Sequence, residues 1–159
     1  MKKNIILIII LLLIGSAGYF FIFRPLTRCS DWNIGPGKNL ASCDFSGKNL
    51  TRAKLTGANL AGANLSGADL SYADLSMGVI LTDANLTGAN LSGADASNAN
   101  LLRSNLADAN LSGANLRRAN LTGDNLSGAI LTDAILEQAT LINANLQNAN
   151  FNGANMTGA

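Results

Sequence analysis

The chain has no histidine among its 159 residues, only two prolines, two cysteines and one tryptophan, and a charged fraction of 13%. Without histidine it lacks the side chain that most often shuttles protons near neutral pH and ligates metals. No serine or cysteine stands beside a recognisable base either, so nucleophilic catalysis is not expected and no catalytic, cofactor or metal residue is assigned. A formal net charge of +1 offers no basic surplus for a phosphate backbone, which argues against nucleic acid as a partner. Two cysteines are too few for a disulfide-dense scaffold.

One long hydrophobic run is present, at the start. Lys2 and Lys3 precede an uncharged apolar stretch from Ile5 to Phe23, which Arg24 and Pro25 follow. Nineteen helical residues span about 28 Å, close to the hydrocarbon thickness of a bilayer, and Tyr19 to Phe23 put aromatics near one interface. The expectation is a transmembrane or signal-anchor helix over residues 1–25, with the repeat domain on the non-cytoplasmic side. Cleavage at Gly15-Ser16-Ala17 is the alternative, and would give a secreted protein with an apolar N-terminus. A lipidated cysteine is not expected, because Arg28 stands before Cys29 where a small residue is required. If the domain is exported, Cys29 and Cys43 are candidates for a disulfide; otherwise Cys43 fills a small core position.

Alanine, asparagine, leucine and glycine dominate the remainder, in a five-residue rhythm visible in LTGANLAGANLSGADL, Leu55 to Leu70. On a helix a period of five smears leucine around every side, and in a straight strand it alternates leucine between faces. Ala58-Asn59-Leu60 instead puts Ala and Leu on one side of a short extended piece with Asn on the other. The following Ser/Thr-Gly pair has the residue order of a type II turn, whose third residue has positive φ. Extended pieces joined by corners wind into a coil with Leu inside and Ala making room beside it, and such coils stack at about 4.8 Å.

These A-[DN]-L-x-x units resemble the pentapeptide-repeat family. The resemblance implies a right-handed quadrilateral β-helix, all-β, with four units and twenty residues per coil. Central positions run from Leu40 through Leu75 and from Leu86 to Met156. The expected organisation is therefore an anchor over 1–25, a linker and cap over 26–37 in which Trp32 closes the core, and a β-helix over 38–159 of about six coils and about 29 Å.

Departures from the rhythm mark the candidate sites. One extra residue falls near 76–81, so either Ile80 or Leu81 takes the central place. Ser104 and Asp124 occupy the small inward position twenty residues apart, which predicts a structural polar pair in which the serine hydroxyl donates to the carboxylate. Ala96 holds a central place that elsewhere belongs to Leu, predicting a void or an inward shift. Ile130 and Ile135 at outward positions, with Leu102 and Ile142 at corners, form a candidate interaction patch. The final NGANMTGA leaves Met156 near an uncovered edge, which suggests end-to-end pairing of two copies.

The sequence thus points to a non-catalytic, membrane-tethered structural or protein-interaction module with an unspecified protein partner. Some pentapeptide-repeat proteins mimic DNA and bind type II topoisomerases; the resemblance raises that alternative. Against it, residues from Lys38 onward carry nine acidic and seven basic side chains, too small an excess to imitate a duplex.

Overall fold

The structure is a computed structural model. It describes residue 29, residues 34–159 and the backbone of 7–12 and 20–25. Every fifth residue from 39 to 74, and again from 80 to 135, makes a parallel bridge to the coil above, beginning with Asn39 to Asn59, Asp44 to Asn64, Asn49 to Asp69 and Lys54 to Asp74. Four bridged segments per circuit and a corner between each pair make the coil four-sided, the right-handed quadrilateral β-helix expected. Its sides are named here by their lowest central residues: the first by Leu40, the second by Phe45, the third by Leu50 and the fourth by Leu55.

Three backbone bonds per unit tie neighbouring coils. In one unit Asn59 N–H donates down to the Lys38 carbonyl at 2.8 Å, while Leu60 N–H donates up to Ile80 at 2.7 Å and Gly62 N–H up to Thr82 at 2.9 Å. A fourth closes the corner: Ala58 N–H donates to the Leu55 carbonyl at 2.9 Å across Gly57, whose φ is +64°. That is type II geometry. Glycine is not obligatory there, since Arg52, Tyr72, Asp108 and Arg118 take φ of 56° to 57° at equivalent corners. Each such residue gives up about 1 kcal/mol to do so, and the ladder bonds outweigh the cost.

Central leucines and inward alanines from Leu40 to Ala139 are buried in one continuous core, with Ala53 half-buried at its edge. Burying a leucine contributes about 1.5 to 3 kcal/mol before entropy is charged against it. In the coil from 141 onward the same inward places are half exposed, Leu146 at 37% and Met156 at 39%.

The extra residue is absorbed in a corner. Asn59 bridges Ile80, twenty-one residues on, and the offset returns to twenty from the Ile80 to Asn100 pair. Met77 and Gly78 both take positive φ, 56° and 76°, so the corner is three residues long and the ladders on either side keep register. Leu81 takes the central place and Val79 the small inward one, both buried, with Ile80 outward.

The N-terminal segment differs from the helix expected over residues 1–25. Leu7–Leu12 (β1) pairs antiparallel with Phe20–Pro25 (β2), Leu7 opposite Pro25 and Leu12 opposite Phe20. Isoleucine and phenylalanine favour strands, and Gly15 and Gly18 lie between the two. Among the described residues no helix is long and apolar enough to cross a membrane. Trp32, assigned to the cap, lies outside the described residues. Ile34 and Cys29 do pack against the core, and Gly37 N–H donates to the Thr56 carbonyl at 2.9 Å.

Candidate interaction surfaces

Outward asparagines and aspartates do more than face water. In each regular unit the Oδ1 atom accepts the backbone N–H two residues on, as Asn59 does from Ala61 at 3.0 Å and Asn120 from Thr122 at 3.1 Å. The side chain caps the corner that follows it. The alternation of Asn and Asp at this position was the available signal, since both carry the same acceptor one carbon from Cβ.

The amide groups also link coils. Asn145 Nδ2 donates to Asn125 and Asn125 to Asn105, each at 3.1 Å, but Asn105 turns to the Thr87 hydroxyl at 2.8 Å. The ladder on the second side is therefore broken once. Charged pairs twenty apart recur on the surface: Arg117 to Glu137 at 3.4 Å, and Arg103 to both Asp83 carboxylate oxygens at 2.8 and 3.0 Å. Both pairs follow the twenty-residue spacing of the coil. The Arg103 guanidinium holds the Asp83 carboxyl below its ordinary pKa by hydrogen bonding first and charge second.

Ser104 and Asp124 are both buried, one coil apart on the second side. Their contact is not the hydroxyl-to-carboxylate bond expected. Instead the Ser104 backbone N–H donates to Asp124 Oδ1 at 2.8 Å, and the same N–H closes its own corner to the Leu101 carbonyl at 2.8 Å. Ser104 Oγ and Asp124 Oδ2 have no partner. The hydroxyl lies near enough to favour the carboxylate slightly, yet it misses hydrogen-bond geometry. Burial dominates and pushes the Asp124 carboxyl up to about 7.

Cys29 and Cys43 are joined in a disulfide with a Cα separation of 5.4 Å. Cys43 also fills the inward place that alanine takes above it, so the two sequence readings hold together.

The four apolar exceptions do not form one surface. Ile130 lies on the third side and Ile135 on the fourth, joined by the corner at Thr132 and Asp133, and are 42% and 40% exposed. Leu102 and Ile142 stand forty residues apart at the corner between the first and second sides, diagonally across the coil, with Ile142 exposed and Leu102 half-buried. The patch reduces to Ile130 and Ile135. On the corner below them Arg52 lies 5.8 Å from the centre of the Tyr72 ring, and that ring covers Gly93 one coil up.

Among the described residues, no three His, Cys, Asp or Glu side chains gather where they could hold a metal. Coils with a leucine interior and an Asn-capped polar exterior define a solenoid whose surface is side-chain columns. The chain belongs to the pentapeptide repeat family: residues 43–83, 84–123 and 125–158 match pentapeptide repeats, in 8 copies. No curated protein sequence matches it.

Among solved structures it is similar to HetL of Nostoc sp. PCC 7120, a pentapeptide repeat protein involved in heterocyst differentiation regulation, with 36% identity over 77% of this chain and 61% of that one and a TM-score of 0.35. It is similar also to the pentapeptide repeat protein AT2G44920 from the Arabidopsis thaliana thylakoid lumen, with 34% identity over 77% of this chain and 64% of that one and a TM-score of 0.35. QnrB1, a plasmid-mediated fluoroquinolone resistance protein, is 20% identical over 74% of this chain and 78% of that one, with a TM-score of 0.37. The chain spans under two thirds of the length of HetL and of the Arabidopsis protein.

Proposed function

We propose that this protein is a non-catalytic, membrane-tethered structural and protein-interaction module whose solenoid stands on the non-cytoplasmic side. The Cys29–Cys43 disulfide carries the reading. It fastens the chain, six residues after the apolar run ends at Phe23, to the lowest coil of the rod, and disulfides persist in oxidising compartments. The apolar run from Ile5 to Phe23 supplies the tether. In lipid an isolated hairpin leaves its outer amides unpaired whereas a helix pairs them internally, so the reading implies a helical segment in the bilayer, distinct from the β1–β2 pairing.

The absence of histidine supports a non-catalytic role. Ile130 and Ile135 are the proposed contact for a protein partner, and the half-exposed inward residues Leu146 and Met156 a contact for a second copy, which sedimentation velocity checks. Cell fractionation followed by protease protection of the solenoid tests the tether. A membrane-bound, externally cleavable solenoid of full mass is expected; a smaller soluble product outside the membrane indicates signal cleavage, and a cytosolic pool favours the topoisomerase-binding alternative.

A further inference from the structure

The charges of the solenoid are divided along its axis. Residues 38–57, the first coil, carry four basic side chains, Lys38, Lys48, Arg52 and Lys54, against Asp44 alone. Residues 58–159 carry three basic and eight acidic. All four basic residues of the first coil are exposed. Lys38 and Lys48 occupy the inward column that holds Ala58 and Ala68 one coil higher, on the first and third sides, while Arg52 and Lys54 stand at the next corner and on the fourth side. Replacing a buried alanine by lysine is feasible only where the side chain reaches water past the rim of the coil. The result is a basic collar on three of the four sides at one end of the rod.

This is also the end to which the apolar run is bound. Cys29 is bonded to Cys43 within the first coil, and the six residues from Phe23 to Cys29 span at most about 20 to 22 Å. Arg24 and Arg28 lie within that stretch. Whatever surface the apolar run enters is thereby tethered within that reach of the first coil.

We propose that the first coil docks on an anionic phospholipid surface through Lys38, Lys48, Arg52 and Lys54, holding the solenoid at the bilayer while its acidic coils are directed away; the inference rests on the tether reading. A planar surface meets only the end of the rod and therefore only the collar. A nucleic-acid duplex laid along the rod would meet the acidic coils within two or three steps of about 4.8 Å each, inside the screening length. Lys54 is partly offset by Asp74 one coil above and Lys48 by Asp44 in its own coil, each lysine helping to keep its carboxyl ionised, so Lys38 and Arg52 carry most of the attraction.

The test uses the full chain with vesicles of phosphatidylcholine alone or with about 30 mol% phosphatidylglycerol. Flotation reports the tether, and quenching of a fluorophore on Thr51→Cys by headgroup-labelled nitroxide lipid reports docking of the collar, with the label on Asn152→Cys as the distal control. Flotation with both vesicles is expected, with Thr51-site quenching about threefold higher on the anionic ones, removed by about 0.5 M sodium chloride or by the combined Lys38→Gln, Lys48→Gln, Arg52→Gln and Lys54→Gln variant. Circular dichroism of that variant confirms the fold. Equal quenching on both vesicles overturns the docking and leaves the tether intact. Flotation with anionic vesicles alone, lost in the quadruple variant, upholds the docking and overturns the tether. No flotation with either, or quenching abolished by inorganic phosphate at constant ionic strength, overturns the lipid surface as the ligand.

Discussion

Asp124 Oδ1 accepts the backbone N–H of Ser104 at 2.8 Å across one coil, while Asp124 Oδ2 and Ser104 Oγ, both buried, have no partner. A carboxyl so placed retains its proton up to about pH 7, against 3.8 when unburied. The folded state therefore binds the proton more tightly than the unfolded one. Its contribution is fully present below about pH 4, is lost as pH rises to about 7, and is constant above. Asp124→Ala restores the alanine of Ala84 and Ala144. It should stabilise the protein most at pH 8, by up to about 4 kcal/mol, and much less at pH 4.5. Urea denaturation of both forms at the two pH values checks this; equal gains at both mean that Asp124 is ionised throughout. Ser104→Ala should move the Asp124 pKa little, because the principal donor is a backbone amide.

Ile130 offers no acceptor to the Thr132 amide where Asn120 caps Thr122, and Ile135 likewise offers none to Glu137. Ile130→Asn and Ile135→Asn should each stabilise by about 1 kcal/mol, the usual net value of such a bond. A gain in the urea midpoint with reduced partner capture would show that the two isoleucines are held against folding for the sake of contact. A loss of stability would mean that their packing matters more than the missing cap.

Ala96 sits buried at a central place, yet its coil has not moved inward. Its N–H reaches the Asn115 carbonyl at 2.8 Å, where Leu75 and Leu116 in the same column make the corresponding bond at 2.7 Å, and Asp95 keeps its bridges above and below. With the backbone in the register that accepts leucine elsewhere, Ala96→Leu should raise stability by about 1 to 2 kcal/mol. A lower melting temperature would show that surrounding side chains have already filled the space.

Gly93 and Gly88 have φ of +64° and +63°, but only Gly93 lies under the Tyr72 ring, where an added Cβ would stand 2.6 Å from Cε1. Gly88→Ala should cost about 1 kcal/mol from backbone strain alone. Gly93→Ala should cost about 2 kcal/mol or more because the ring must also leave the corner and its contact with Arg52. Tyr72→Ala in the Gly93→Ala background should recover the difference.

The period of five made most of the fold legible. Leu40, Leu60 and Leu81 stack on one side because units are interchangeable and each repeats the same inward and outward choice. The Asn caps were hidden because an outward polar residue carries the same pattern whether it is solvated or bonded. The Ser104 and Asp124 column was legible, but which donor reaches the carboxylate depends on angles that spacing does not contain. The patch was a different case: Leu102, Ile130, Ile135 and Ile142 all follow the three-residue turn at Ser76 to Gly78, so twenty residues per coil already separates their corners, and exposure read from the repeat is not enough to make them neighbours.

Sequence by itself determined the coil, its leucine interior, its corners and the partition of charge along its axis, because these depend on local alternation repeated many times. Tertiary structure decided where the extra residue goes, which oxygens remain unpaired in the core, and that Cys29 is fastened to Cys43. Those depend on atoms distant in sequence meeting at bonding distance, 14 residues apart for Cys29 and Cys43 and 20 for Ser104 and Asp124, and in a stacked coil that is set by how each circuit closes on the one below.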